Sequence, residues 1–285
     1  MRILNICFFI STLFFYACQE TIEIPYEDYD EKIVVYCMLE PGKPPQANIM
    51  ESKGLDTPDE LQGSVVFLND AVVTLFEGTT AHPMYLVKGV EQLPDGGDTY
   101  YFTDTGVTIE IGKSYRLEVM QGGRLVSGET YVPAQVPVTS VTHDVVSIDY
   151  EDPSGYISGT IRIKYFFDNP AGIGDNFEVV NFNDVSFSLS NYDVESILRD
   201  SIQERHENEV LYYFSSQAHE VQLIAYTINY PKTTADFIES LASAKYSGQD
   251  PFSEVSEVVS TISGGIGLFG ARTVSDTTTW DLKLK

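Results

Sequence analysis

Cysteine is scarce in this chain, and that scarcity settles several questions. Three are present, Cys7, Cys18 and Cys37. The first two fall in or at the end of an apolar N-terminal run, so Cys37 stands alone in the body. One thiol cannot close an intramolecular disulfide, and stability must come from apolar burial. Cys37 shares strand parity with Ile33, Val35 and Leu39. It reads as a small buried hydrophobe, since a reactive thiol needs a basic neighbourhood. Bases are also few: 17 Lys and Arg against 42 Asp and Glu, a formal net charge of −25. Such a surface repels phosphate backbones and anionic headgroups, which excludes nucleic acid as a partner and a polybasic patch as a membrane hold. The four histidines, His82, His143, His206 and His219, are scattered singly and read as exposed loop residues. Long apolar runs are lacking as well. Ile3–Phe15, interrupted by Asn5, falls well short of the ~20 residues of a spanning helix.

What the N-terminus does hold is a lone Arg2, that short apolar run, a small residue at Ala17 and then Cys18. The chain turns abruptly polar and acidic at Gln19-Glu20-Thr21-Ile22-Glu23. A secretory apolar segment that stops at a small residue before a cysteine reads as a lipoprotein signal. Cleavage before Cys18 makes its thiol the lipid-attachment point, and acylation supplies the membrane hold. Phe15 and Tyr16 are bulkier than is usual just ahead of such a site. Residues 1–17 are therefore expected as a cleaved signal peptide. Residues 18–31, acidic and carrying Pro25 without sustained periodicity, are expected as a tether.

The body, with 43% hydrophobic residues, can build real cores, and its pattern is β. Lys32–Leu39 is a strand signal closed by Pro41-Gly42-Lys43-Pro44-Pro45, which is turn chemistry. Short β-rich runs follow at Ala71–Phe76, Thr99–Phe102, Ser114–Met120 and Leu125–Val132. Tyr115, Leu117 and Val119 alternate with Arg116 and Glu118, the two-residue period of a half-buried strand. Gln121-Gly122-Gly123-Arg124 reads as a hairpin turn. Residues 32–136 are expected as an immunoglobulin-like β-sandwich, with Pro133 and Pro137 bracketing a boundary. Residues 137–285 are expected as a second β-rich, sandwich-like domain with one covering helix. Its strand candidates are Thr160–Phe167, the alternating Val185, Phe187 and Leu189, and Glu220–Asn229. Asp193–Glu209 is open between helix and charged loop. Thr234–Lys245 is the helix, with Thr233 and Asp236 at capping-box spacing and Phe237, Ile238, Leu241 and Ala242 as its core stripe.

Catalytic patterns fail one by one. Gly265-Ile266-Gly267-Leu268-Phe269-Gly270 matches G-x-G-x-x-G literally, but no helix pattern follows and no acid stands about 20 residues on. Its glycines read as allowing a turn and close packing against a sheet. Arg205-His206-Glu207-Asn208-Glu209 begins like H-E-x-x-H, yet Val210 stands where the second zinc ligand belongs. Asp28-Tyr29-Asp30-Glu31 and Asp149-Tyr150-Glu151-Asp152 lack the loop glycine and distal glutamate of an EF-hand. No G-x-S-x-G occurs. Neither a metal nor a cofactor is expected. Aromatics are abundant, with 18 tyrosines and 16 phenylalanines. Tyr100-Tyr101-Phe102 and Tyr212-Tyr213-Phe214 place adjacent rings on opposite strand faces. Exposed members of these triplets suit protein or glycan contact, and buried ones a sandwich core.

Several of these segments, in this order, resemble a known family. After the acylated cysteine and acidic tether come Lys32-Ile33-Val34-Val35-Tyr36 and Leu39-Glu40-Pro41-Gly42-Lys43-Pro44-Pro45. Tyr115-Arg116-Leu117-Glu118-Val119, Gly122 and Thr130-Tyr131-Val132-Pro133 follow. The helix then precedes Pro251-Phe252-Ser253-Glu254 and Gly264-Gly265-Ile266-Gly267-Leu268-Phe269-Gly270-Ala271. The order is similar to that of the Bacteroidota lipoprotein family catalogued as domain of unknown function 4249. Ser263 and Gly264 stand where that family usually shows an asparagine before its terminal glycines. The resemblance implies an outer-membrane lipoprotein without established enzymatic activity, of a kind often encoded beside TonB-dependent receptors. It also implies that acids just behind the acylated cysteine, here Glu20 and Glu23, mark export to the cell exterior. The expected function is thus a non-enzymatic surface lipoprotein, an accessory or ligand-capturing partner of a TonB-dependent receptor in nutrient uptake. Two other readings are a structural or adhesive surface module, and a hydrolase with a carboxylate pair assembled only in space.

Overall fold

Alternating apolar residues, interrupted by glycine and proline turns, generate nineteen strands and one helix among the described residues. The computed structural model describes residues 30–53, 65–92, 97–151, 153, 157–167, 176–183, 188–190, 198–199, 207–216, 220–247 and 257–283. Lys32–Ser52 and Gly63–Lys285 form one compact unit. The first strands are β1 (Ile33–Leu39), β2 (Gln46–Glu51), β3 (Val66–Phe67), β4 (Val72–Glu77), β5 (Thr80–Gln92), β6 (Asp98–Thr103), β7 (Ser114–Gln121) and β8 (Arg124–Tyr131). Then come β9 (Val138–Glu151), β10 (Ile157–Phe167), β11 (Asn176–Asn183), β12 (Ser188–Ser190), β13 (Leu198–Arg199), β14 (Glu207–Ser216) and β15 (Glu220–Tyr230). Helix α1 (Lys232–Ser247) precedes β16 (Ile262–Ser263), β17 (Ile266–Ala271), β18 (Thr273–Val274) and β19 (Thr278–Lys283). The mainly β class with one helix matches the expectation from sequence.

The first sheet runs β16-β8-β7-β4-β5-β6-β2-β1-β17, with β3 added on β2. Thr80–Met84 of β5 pairs with β4, while Tyr85–Gln92 pairs with β6. The sheet therefore turns its corner through one long strand. Its two ends, β16 and β17, are consecutive in the chain and joined only by Gly264-Gly265. The sheet is thus nearly closed around a core of Val35, Cys37, Leu75, Leu117, Val119 and Phe269, with their neighbours. Each strand gives one face to that core, as the period of two demands. Gly122 and Gly123 have φ of 57° and 81°, the left-handed pair of a two-residue hairpin, and they join β7 to β8 as expected. The backbone N–H of Glu110 donates to the Tyr115 hydroxyl at 3.0 Å. A buried tyrosine near a strand start bonding back to the chain just upstream is the corner motif of immunoglobulin-like sandwiches.

A second core lies where β10 faces β15 and β19. It contains Val138, Ile161, Ile163, Tyr165, Leu223 and Leu282, with Trp280 packed against it. The sheets are β12-β14-β10-β9 and β13-β11-β15-β18, with β19 also on β15. The chain passes between the two cores at residues 133–137, between Pro133 and Pro137. Residues 262–271 nevertheless return to the first sheet: β17 pairs parallel with β1, and β16 pairs with β8. The first core is accordingly built from 33–132 together with Ile262, Phe269 and Ala271.

The helix begins two residues earlier than its pattern predicts and packs differently. Thr234, Ala235 and Phe237 are buried, but Leu241 is 49% exposed and Ala242 is exposed too. Only the N-terminal part of α1 therefore meets β17, where the Thr234 hydroxyl accepts the Ala271 N–H at 3.3 Å. A Cβ on Gly270 would come within 2.5 Å of that hydroxyl. That position therefore requires glycine for the helix to approach so closely, and Leu241 and Ala242, beyond the contact, stay exposed. The predicted pattern at Val185, Phe187 and Leu189 lies partly outside the described residues, and so does most of Asp193–Glu209. No helix among the described residues is long and apolar enough to cross a membrane.

Candidate functional site

The residues singled out at the N-terminus, Cys18, Glu20 and Glu23, lie outside the described residues, as do His206 and His219. The two remaining histidines are strand residues and not loop residues as expected. His82 on β5 pairs with the buried Leu75 of β4 and points inward, where its Nε2 is buried without a hydrogen-bond partner. His143 on β9 places Nε2 2.6 Å from the carbonyl oxygen of Lys283. Among the described residues, no group of three or more His, Cys, Asp or Glu is arranged to hold a metal ion. The glycine-rich segment is strand β17 itself, paired along its length with β1, and not the strand-to-helix turn a nucleotide site requires. Gly267 has φ +117°, and a Cβ there would run into the Val35 carbonyl. Its glycine serves close packing.

A cavity of about 420 Å³ opens at one end of the first sheet, lined among others by Phe76, Tyr115, Arg116, Glu129, Thr130 and Thr233. Its one cation among the described residues is already engaged. The Arg116 guanidinium lies over the Phe76 ring, 4.1 Å from its centre, and pairs with Glu118. Glu129, directly across from Arg116 in the β7–β8 ladder, is the single carboxylate in the lining among the described residues. Two carboxylates flanking a bond, the requirement for glycoside hydrolysis, are not assembled there among the described residues. Nearby, Lys113 donates to Glu77 at 2.6 Å and lies 3.0 Å from Glu110. Those hydrogen bonds push its ammonium above the usual lysine range.

A different surface is set apart by its chemistry. One row of the first sheet runs from Cys37 through Ala47 and Phe102 to Leu86. Cys37, Ala47 and Phe102 are buried, so the residues flanking them in their strands lie on the opposite face of the sheet. On one side these are Tyr36, Asn48 and Tyr101, with Tyr36 across from Asn48 and Tyr101 across from Val87. On the other side the exposed Gln46 is across from Thr103, which is itself buried, and Thr103 is across from the exposed Tyr85. Tyr36 is 48% exposed and Tyr85 68%. The Asn48 side-chain amide donates to the Tyr100 carbonyl at 2.8 Å, which fixes it at the point where β2 and β6 diverge. None of these outward residues carries a charge, on a chain with 42 acids. By contrast, the outward positions of β7 carry Arg116 and Glu118. Of the two aromatic triplets, Tyr100-Tyr101-Phe102 is half-buried and buried; the side chains of Tyr212-Tyr213-Phe214 lie outside the described residues. The triplet hinted at this face, but Tyr36 and Tyr85 carried no separate signal in sequence. Their outward position depends on pairings between distant strands.

Among curated proteins, no sequence matches this chain. Residues 19–278 match the family model described as Domain of unknown function (DUF4249). With nearly its whole length matched, the chain belongs to the DUF4249 family.

Proposed function

We propose that this protein is a non-enzymatic outer-membrane lipoprotein, anchored through Cys18 and facing the cell exterior, that captures a ligand as the accessory partner of a TonB-dependent receptor. The observation that carries this reading is the open, uncharged, tyrosine-bearing face of the first sheet. Exposed aromatic and amide groups without charges on an otherwise acidic surface favour contact with a partner over bare solvation. The anchor is supported by the N-terminal pattern and by the family match, which starts at Gln19, directly behind Cys18. The receptor is supported by the resemblance to lipoproteins encoded beside such receptors. Acylation matters physically because the net charge of −25 gives the body no attraction to an anionic bilayer.

Co-purification tests the partnership. Gentle detergent extraction of membranes carrying an affinity-tagged copy of the full chain is expected to bring down a TonB-dependent receptor in near-stoichiometric amount. Recovery of the lipoprotein alone under the same conditions contradicts the partnership and favours an adhesive module.

A further inference from the structure

We propose that the outer face formed by β1, β2, β6 and β5 binds a neutral polysaccharide, with Tyr36, Tyr101 and Tyr85 as its stacking platforms. The proposal names the ligand class for the capture role above. It rests on that reading only for where the polymer is met, since binding itself is a property of the isolated chain.

The chemistry of the face argues for this occupant. A charged ligand set down here would lose hydration and find no counter-charge in return. An uncharged ligand meets no such penalty. A purely apolar partner would leave the Gln46 amide and the phenol hydroxyls covered and unsatisfied. A sugar ring matches both halves of the surface. Its C–H face packs on an aromatic ring, and its hydroxyl rim exchanges hydrogen bonds with amides and phenols. Tyr85, at 68% exposure, keeps most of a ring in water although it sits within a strand and not in a loop.

The shape argues for a polymer. Small molecules are held in concavities that enclose most of their surface, whereas this face is a run of paired strands with outward side chains. β1 and β6 are separated by β2, so Tyr36 and Tyr101 stand roughly two strand spacings apart, on the order of 10 Å. That separation is comparable to the distance between alternate rings of an extended sugar chain. Tyr85 lies diagonally beyond Tyr101, because Val87 and not Tyr85 is across from it. The three rings therefore form a track across the strands. Lys88, which alternates with Val87 along β5 and so belongs to the other face, pairs with Asp98 at 2.6 Å.

Affinity electrophoresis of the full chain, purified in mild detergent, tests the assignment. Separate native gels would contain xyloglucan, mixed-linkage β-glucan, galactomannan, dextran or, as the anionic control, polygalacturonate. At least one neutral polymer is expected to retard the protein, equally at low and high salt because no ion pair is involved. Tyr85→Ala and Tyr36→Ala are each expected to weaken that retardation about tenfold, the equivalent of one good ring contact. Tyr85→Phe, which keeps the ring, stays close to wild type. Leu125→Ala, an exposed apolar change on β8 away from the face, leaves retardation unchanged. Unaltered thermal unfolding of each variant separates lost contact from lost fold. No retardation in any neutral gel overturns the proposal, as does retardation by polygalacturonate alone. So does wild-type retardation of both alanine variants. If the alanine variants instead lose a co-purifying membrane protein while no polymer binds, the face is a protein interface. Failure of the polymer assay with intact receptor co-purification would sink this inference and leave the partnership standing.

Discussion

Cys37 sits fully buried in the middle of β1, between Val35 and Leu39 on the core side. Burial pushes its thiol up from the ordinary 9.0 to about 12, so it stays protonated and inert at neutral pH. The folded protein then holds a proton that the unfolded chain releases above its ordinary value, and stability falls as pH rises from 9.0 toward about 12. Cys37→Ala removes that term. Its alkaline loss of stability, followed by thermal melts across this window, is expected to be shallower than that of wild type by a few kcal/mol, on the order of 4 at most. Glu40 behaves in the opposite sense. Burial alone would raise its carboxyl, but hydrogen bonds from Lys43 and Arg272, with their charges, outweigh it and hold the group below the ordinary 4.5. Its stabilising contribution is present above that value and disappears as pH falls through the depressed one. Arg272, whose Nε lies 3.0 Å from a Glu40 carboxylate oxygen, clamps the end of β17 to the end of β1. Arg272→Ala is expected to cost about 1–3 kcal/mol at neutral pH, since the Glu40 side chain is only 16% exposed, and to flatten the acid limb of the stability curve. His82 offers a gain. Its inward Nε2 lacks a partner, and replacing an unsatisfied buried polar atom by an apolar one is favourable. His82→Leu is expected to stabilise by about 1 kcal/mol in denaturant titration.

Among the elements, β17 shows most clearly what sequence pattern reveals and what it hides. The glycines of 264–270 were legible as packing glycines, because no helix and no distal acid accompany them. That they form a parallel strand at one end of the first sheet was not legible. The partner β1 lies more than 200 residues earlier, and no local period encodes so distant a pairing. Gly267 and Gly123 separate the two demands on glycine. Both have positive φ, but a Cβ at Gly123 meets nothing within 4 Å, whereas at Gly267 it strikes the Val35 carbonyl. Gly123→Ala is expected to cost about 1 kcal/mol and Gly267→Ala at least about 3, both read from denaturation midpoints. Strands with clean alternation, such as β7 and β15, were visible in sequence. β5 was not, because Pro83 and Gly89 interrupt it and its two halves serve different neighbours. The helix stripe misled at Leu241 and Ala242, since α1 meets the sheet only through its first turns.

For the whole molecule, the passage at residues 133–137 decides how the two cores behave. The Ala134 carbonyl accepts hydrogen bonds from Asn229 Nδ2 at 2.7 Å and Thr273 Oγ1 at 3.0 Å. Gln135 donates to the Val274 carbonyl at 2.7 Å, and Thr227 donates to that of Val136. A segment stitched to β15 and β18 in this way does not act as a loose hinge, and the return of β17 into the first sheet ties the cores a second time. Unfolding is therefore expected as one cooperative transition. Trp280, the single tryptophan, reports the second core by fluorescence, and alkylation of Cys37 reports the first. Coincident midpoints are expected; separated midpoints would show two independently melting bodies. The acidic surface, the paucity of thiols and the N-terminal pattern all bear on where this molecule resides, and that claim reduces to one atom, the Cys18 sulfur. The direct measurement is acyl labelling and membrane fractionation of wild type beside Cys18→Ala. Labelled wild type in the membrane fraction, with an unlabelled and released variant, is the predicted result. A Cys18→Ala protein that stays membrane-bound, or a wild type that takes up no label, would contradict it.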